Sequence, residues 1–403
     1  MTEELRALRH VDRAVVYKKE RQAGVLVRHV DSVEFRYDAD YLHDPGAGPV
    51  ASTLPLTESA VRTVAGAVPP YFAGLLPEGR RLAALRAAVK TSADDELSLL
   101  LAVGADAVGD VRVLAEDASP HEVVPRVSVA DWDQVSFAEV FAAETGSDPD
   151  LVALPGVQPK ASARMLTVPV DHGTDRFILK LDPPEFPHLC RNEWLMLRAA
   201  RQCGLATVDA DLRRDRAGRE GLVVRRFDRR SDGGGLAVED ACQASGRYPA
   251  DKYAITSEQA CSVLAAASDA PMVTARTLLR WVAFAYVSGN GDLHAKNLSI
   301  VEHEDGLVQA APAYDLPSSY PYGDNTLALT LNGKDREDVG RADLLAFSAT
   351  LGLPARAAGR VLDAVVDGVD SWVGSLDESG FDQRTVAKWR RAVRYRQSRL
   401  AGA

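Results

Sequence analysis

GNGDLHAKNLS at Gly289 to Ser299, followed by AYDL at Ala313 to Leu316, is the stretch that decides how this 403-residue chain folds and what chemistry it can hold. Asp292 and Asn297 stand five positions apart, and Asp315 follows after a segment long enough for a short hairpin. Transfer of a phosphoryl group needs one carboxylate to orient the attacking hydroxyl, and a second carboxylate with an amide oxygen to hold magnesium against the phosphates. Asp292, Asp315 and Asn297 are the residue types for those tasks, in that order. Asn-Gly and Gly-Asp are also strong turn formers, so the spacing taken alone fits an ordinary surface turn. Its position argues otherwise, because it directly follows an apolar helical run and precedes a Tyr-Asp that itself precedes Pro317, Ser318 and Ser319.

Upstream of the loop, Thr256–Ala267 and Val273–Ser288 read as helices. The second carries Leu278, Trp281, Val282 and Ala285 at helical spacing with few charges, so it is expected to be buried and to present the loop at its end. His294 lies between Asp292 and Asn297 and is read as a structural hydrogen-bonding residue, since Asp292 is better placed to take a hydroxyl proton. Downstream, Arg341–Ala403 reads as amphipathic helices, the last of them, Arg384–Arg399, basic and solvated.

Phe177-Ile178-Leu179-Lys180 reads as an apolar strand ending in a lysine that could reach nucleotide phosphates if an acidic partner held it. Glu193, in RNEWLMLRAARQCG, is the candidate partner. A strand-edge lysine in water and a first-turn glutamate favouring the helix dipole are the plainer alternatives. DLVALPGVQPKASARMLTVPV reads as strand, loop, strand. Gly156 there would let backbone amides approach phosphates and Lys160 would add charge, although the stretch is no Walker loop and a simple hairpin also fits. Leu222–Phe227 reads as a strand leading into a hinge where a nucleotide base would lie. Arg225, Arg226, Arg229 and Arg230, interleaved with Asp228 and Asp232, read as a solvated, salt-bridged turn rather than a nucleic-acid patch.

From Arg13 to Tyr41 apolar and polar residues alternate around a turn at Gln22-Ala23-Gly24, which predicts a small antiparallel sheet. Helical stretches follow between Pro69 and Leu101, then a strand at Val111–Leu114 and a polar boundary at Glu116–Ser128. A formal net charge of −10 argues against free-standing DNA binding, which needs a basic surface. Four widely spaced cysteines without metal-ligand spacing suit reduced thiols in a cytoplasmic protein. No apolar run approaches the roughly 18 residues of a membrane span.

Several of these motifs occur together in a known order: LLPEG (Leu75–Gly79), LPGVQPK (Leu154–Lys160), FILK (Phe177–Lys180), RFDRR (Arg226–Arg230), EDACQ (Glu239–Gln243), DLHAKN and YDL. In them the chain resembles the HipA-type toxin serine/threonine kinases of bacterial toxin–antitoxin pairs. The resemblance implies a mixed α/β (α+β), two-lobed protein-kinase-like fold with an additional N-terminal β-rich subdomain and a helical C-terminal lobe, divided at 1–125, 126–245 and 246–403. In that subdomain Phe72, Leu75, Leu76 and Pro77 would be packing residues. It implies ATP and Mg2+ as cofactors, with Asp292 and Lys180 catalytic, Gly156, Gln158, Lys160, Lys180, Phe227 and His294 on ATP, and Asn297 and Asp315 on the metal.

The implied function is phosphorylation of a protein hydroxyl, an aminoacyl-tRNA synthetase being the known kind of target in the family. The expected partner is a HipB-like helix-turn-helix antitoxin, through which alone DNA is met. A small-molecule phosphotransferase and a non-catalytic nucleotide-binding corepressor or scaffold are the other readings. Two departures from the family pattern stand out. Arg225 replaces a glutamate common before RFDRR, and Ala153 replaces the serine whose phosphorylation ejects the phosphate loop, with Ser162 just beyond Lys160 as the nearest substitute.

Overall fold

The computed structural model describes residues 2–118, 128–145, 165–172, 175–230, 232–336 and 338–402. The chain forms two compact units, Met1–Arg126 with Asp228–Asp251, and Val127–Phe227 with Lys252–Ala403. The first begins with α1 (Thr2–Ala7), β1 (Arg13–Lys18), β2 (Arg21–Arg28), β3 (Ser32–Tyr37), α2 (Ala39–Leu42) and β4 (Val61–Val64). It continues with α3 (Pro70–Gly74), α4 (Gly79–Val89), α5 (Glu96–Val103) and β5 (Val111–Ala115). The second starts with α6 (Phe137–Thr145), β6 (Leu166–His172), β7 (Asp175–Leu181), α7 (Leu189–Gln202), β8 (Ala210–Arg214) and β9 (Glu220–Arg225). Next come β10 (Val238–Asp240) and α8 (Ala241–Ala244), which belong to the first unit. The second then finishes with α9 (Ser257–Ala266), α10 (Pro271–Ser288), β11 (Ser299–Glu302), β12 (Val308–Ala310), α11 (Arg341–Thr350), α12 (Ala355–Trp372) and α13 (Gln383–Ala401).

In the first unit the expected antiparallel sheet has the order β4-β3-β2-β1-β5. The turn between β1 and β2 is not at Gln22–Gly24. Tyr17 pairs with Gln22 and Lys18 with Arg21, so the chain reverses at Lys19 and Glu20, with Lys19 in the left-handed region at φ 56°. Gly24 serves a different need: a Cβ there would stand 2.3 Å from the Arg36 carbonyl oxygen, so only glycine lets β2 and β3 close up. The inward face of the sheet packs on Phe72, Leu75, Leu97 and Leu100, with Leu76 partly buried against them, so Phe72, Leu75 and Leu76 pack as anticipated.

The run after Phe227 is ion-paired but not solvated. Asp228 is buried and accepts from the Gly109 N–H at 3.0 Å, while Arg229 bridges Asp228 at 2.7 Å and Asp106 at 2.9 Å. Arg230 with Asp232, 3.1 Å apart, forms an exposed surface pair of the kind anticipated, as does Arg225 at the start of the run. Within the same unit Asp240 and Gln243 close a reciprocal capping box on α8, and the Gln243 amide nitrogen donates to the Tyr71 carbonyl at 3.0 Å.

The second unit opens with an antiparallel sheet of order β6-β7-β9-β8. Its core is Phe137, Phe141, Leu166, Val168, Leu179, Leu181 and Val223. Below it lies a helical assembly around α10, whose side chains are buried almost without interruption from Leu278 to Ser288. A helix buried on all faces needs few charges, which is the pattern the sequence showed. The helix α13 departs from expectation: Val386, Trp389, Val393, Arg396 and Leu400 recur every three or four residues and are buried, so one face packs inward despite the basic composition. Cys190, Cys203, Cys242 and Cys261 are buried thiols outside any disulfide. Among the described residues no helix is long and apolar enough to cross a membrane.

Candidate active site

Strand alternation decides where Lys180 points. Leu179 and Leu181 go into the core beneath the sheet, so the residue between them faces the other way. There the Lys180 ammonium donates to both Glu193 carboxylate oxygens, at 2.7 and 2.8 Å, and to Asp315 Oδ1 at 3.0 Å. Glu193 is fully buried on α7 and is not a solvent-facing first-turn residue. The first amides of that helix are held instead by Asp182, which accepts from the His188 and Cys190 N–H groups at 2.8 and 2.7 Å.

One buried ammonium therefore serves two carboxylates. Burial works against the Lys180 charge, but Asp315 and Glu193 outweigh it and hold the ammonium protonated above its ordinary range. Burial pushes Glu193 up to about 7, with Lys180 opposing the rise and Asp315 adding to it. The backbone at Asp315 lies in the left-handed region, φ 53°.

The loop after α10 is built by backbone contacts. Gly289 closes the helix at φ 78°, and the helix's last carbonyls, which lack partners within it, are met from α13. Trp389 Nε1 donates to the Ser288 oxygen at 3.2 Å and Arg396 to the Tyr286 oxygen at 3.0 Å. Asn290 Oδ1 accepts from the Asp292 N–H at 2.8 Å, and the Asn297 amide nitrogen donates to the Asp292 carbonyl at 3.0 Å. The segment after Asp315 is stitched to both sides. The Ser319 hydroxyl accepts from the Gly291 N–H at 2.8 Å, and the Asn192 amide clamps Ser318 through bonds of 2.9 and 2.8 Å. Because Asn192 neighbours Glu193, one turn of α7 positions both the ion triad and the Asp315 segment.

Asp292 is 2 % exposed, and its Oδ1 accepts from the Tyr253 hydroxyl at 2.6 Å. The Tyr253 ring meets His294 edge-on at 5.2 Å, and His294 is buried within the loop, its carbonyl accepting from the Asn297 N–H at 2.9 Å. Phe227 stacks on Tyr314 at 5.5 Å, and the Tyr314 hydroxyl donates to the Lys296 carbonyl at 2.9 Å, so the end of the hinge segment adjoins the loop. Arg225 pairs with Asp175 at 2.6 Å.

Lys180, Phe227, Asp292, His294, Asn297 and Asp315 thus lie in one unit, with Glu193 completing the ion triad. Gly156, Gln158 and Lys160 lie outside the described residues, as do Ala153 and Ser162. Tyr253, Asn192, Trp389 and Arg396 were not anticipated; of these, only Arg396 left a sequence signal, as a lone charge on the apolar stripe of α13.

Asn297 commits its amide nitrogen to the loop, so its oxygen is the atom that could meet a metal, and the Asp315 side chain keeps 28 % of its surface exposed. Among the described residues no group of three or more His, Cys, Asp or Glu side chains gathers at metal-binding distance. Two oxygen donors without a full protein cage suit magnesium, which is commonly held by one or two protein groups together with substrate phosphates. A soft-metal cage is a different construction.

Residues 14–114 match the HipA N-terminal domain family, and residues 152–373, more than half of the chain, match the HipA-like C-terminal domain family. The chain belongs to the HipA family. It is 30 % identical over 352 residues to Y4mE of Sinorhizobium fredii, a protein named as a kinase, covering 81 % of this chain and 83 % of that one. To the serine/threonine-protein kinase toxin HipA of Shewanella oneidensis it is 26 % identical over 335 residues, 76 % of each chain. The solved complex of Shewanella oneidensis HipA with HipB and operator DNA superposes with a TM-score of 0.75 at 22 % identity, over 96 % of this chain and 97 % of that one. The shared fold is the mixed α/β, kinase-like architecture with an N-terminal β-rich part and helical C-terminal part.

Proposed function

We propose that this HipA-family chain transfers the γ-phosphate of magnesium–ATP to a serine or threonine hydroxyl of a protein. In this reading it is the cytoplasmic toxin of a type II toxin–antitoxin pair, neutralised by a HipB-like antitoxin. The observation that carries the chemical part is the Lys180–Glu193–Asp315 triad. A lysine fixed by a buried glutamate and touching a second, partly exposed carboxylate is what a phosphate-binding ammonium beside a metal ligand requires. A scaffold that only bound nucleotide would have no use for Asp292, which Asn290 and Asn297 hold in place through its main chain. The partner assignment draws on the Shewanella oneidensis relative, solved with HipB and operator DNA, and on the −10 charge, which leaves DNA contact to a basic partner.

In the proposed reaction Lys180 binds the α- and β-phosphates, and Glu193 keeps its ammonium charged and oriented. Asp292 takes the proton of the acceptor hydroxyl as the new oxygen–phosphorus bond forms, and ADP departs with the electrons of the broken bond. Asn297 and Asp315 would hold magnesium, which when bound neutralises charge on the phosphates.

Asp315→Asn removes a ligand charge while keeping the side-chain shape. The magnesium-dependent part of ATP affinity should fall roughly ten- to a hundredfold, the range by which disturbed metal sites lose affinity. Calorimetry with and without magnesium checks this, and an equal magnesium-dependent gain in wild type and variant would remove Asp315 from the site.

A further inference from the structure

A general base must touch the hydroxyl it deprotonates, yet Asp292 is 2 % exposed and already holds a hydroxyl, that of Tyr253, at 2.6 Å. We propose that Tyr253 occupies on Asp292 the place of the incoming acceptor hydroxyl, so that it competes with the acceptor and must swing aside before transfer. This rests on the kinase reading above and adds a regulating residue to it.

Three features separate such a competitor from a residue that merely orients the base. First, the backbone that carries the carboxylate is fixed without Tyr253, by Asn290 and Asn297 on the Asp292 main chain. Second, Tyr253 is 40 % exposed while Asp292 is buried, so the ring lies towards the side from which an acceptor must come. An orienting partner would be expected from the core. Third, the backbone beside Tyr253 is anchored independently, through the Lys252 carbonyl accepting from the Ala295 N–H at 3.1 Å. The side chain can therefore rotate without the strap leaving the loop. The ring's aromatic neighbour is the edge contact with His294, and Lys252 lies over it at 5.4 Å. Both contacts are weak beside a charge-assisted O–H···O− bond.

Water is the simplest acceptor and needs no identified protein target. Its attack forms an oxygen–phosphorus bond, its proton passes to Asp292 and then to solvent, and the bond to ADP breaks, giving ADP and inorganic phosphate. Initial rates of magnesium–ATP hydrolysis by the full chain, with ATP binding measured by calorimetry, test the inference. Tyr253→Phe, which deletes only the hydrogen bond, should hydrolyse ATP about ten- to a hundredfold faster than wild type, the range for losing a hydrogen bond to a charged group. Tyr253→Ala, which also removes the ring, should be faster still, and adding Asp292→Asn to either should abolish the gain. Rates equal to or below wild type in both Tyr253 variants, with ATP binding intact, would overturn the competitor role and leave the kinase reading standing. Absence of ATP binding in the wild type would overturn the kinase reading and the inference together.

Discussion

Asp292→Asn is expected to bind magnesium–ATP within about twofold of wild type and to transfer phosphate about a thousandfold more slowly, a loss within the range of general-base catalysis. Two contacts that hold this residue are made to its main chain: Asn290 accepts from its N–H and Asn297 donates to its carbonyl. An isosteric amide leaves both intact. It can still accept the Tyr253 hydroxyl at Oδ1, but it cannot carry away a proton. Calorimetry and initial-rate measurements on the same preparation check the two halves of the expectation. Wild-type transfer by the variant would show that Asp292 is not the base.

Lys180→Met is expected to weaken both nucleotide binding and the fold. Methionine fills the volume of the stem, but it leaves Glu193 fully buried with no counter-charge and with Asp315 nearby. Breaking a buried pair from one side costs about 3–5 kcal/mol when the remaining group must stay ionised. The loss depends on pH in a definite direction. In the wild type burial already raises Glu193 to about 7, against the opposition of Lys180. Its folded value lies above its unfolded one, so its contribution to stability is complete below the unfolded pKa and is lost as pH rises through the folded pKa. Without Lys180 the folded value rises further. The gap between variant and wild type should therefore open as pH climbs past about 7, by about 1.4 kcal/mol for each unit of further rise. Thermal melts of both proteins at pH 6 and pH 8.5 check this, with the larger difference expected at pH 8.5. A gap that does not widen would mean that Glu193 is not the group left stranded.

What the sequence revealed and what it hid divide on a physical line. Asp292, Asn297 and Asp315 fall in one short segment, and Lys180 on a strand with Glu193 on the next helix are residue types that have little reason to be buried unless they meet. Tyr253 meets Asp292 across 39 positions, Asn192 meets Ser318 across 126, and Arg396 meets Tyr286 across 110. Such contacts are set by how the elements pack, and no local pattern carries them. The number of basic residues in α13 suggests a solvated helix; their placement decides, because Val386, Trp389, Val393 and Leu400 make an apolar stripe broken only by the buried Arg396. A glycine is the usual sign of a turn, but Gly24 answers a steric demand from the Arg36 carbonyl and Lys19 makes the left-handed β1–β2 turn. Likewise, nothing local in Asp228–Asp251 announces that it packs with residues 1–126.

Phosphoamino-acid analysis tests the central claim most directly. The wild-type chain is incubated with magnesium and γ-labelled ATP in a dialysed bacterial lysate, and label in protein other than the chain itself is hydrolysed and identified. Labelled phosphoserine or phosphothreonine, absent when Asp292→Asn replaces the wild type, is the predicted result. Label confined to inorganic phosphate and small molecules, or the same protein labelling with the variant, would contradict it.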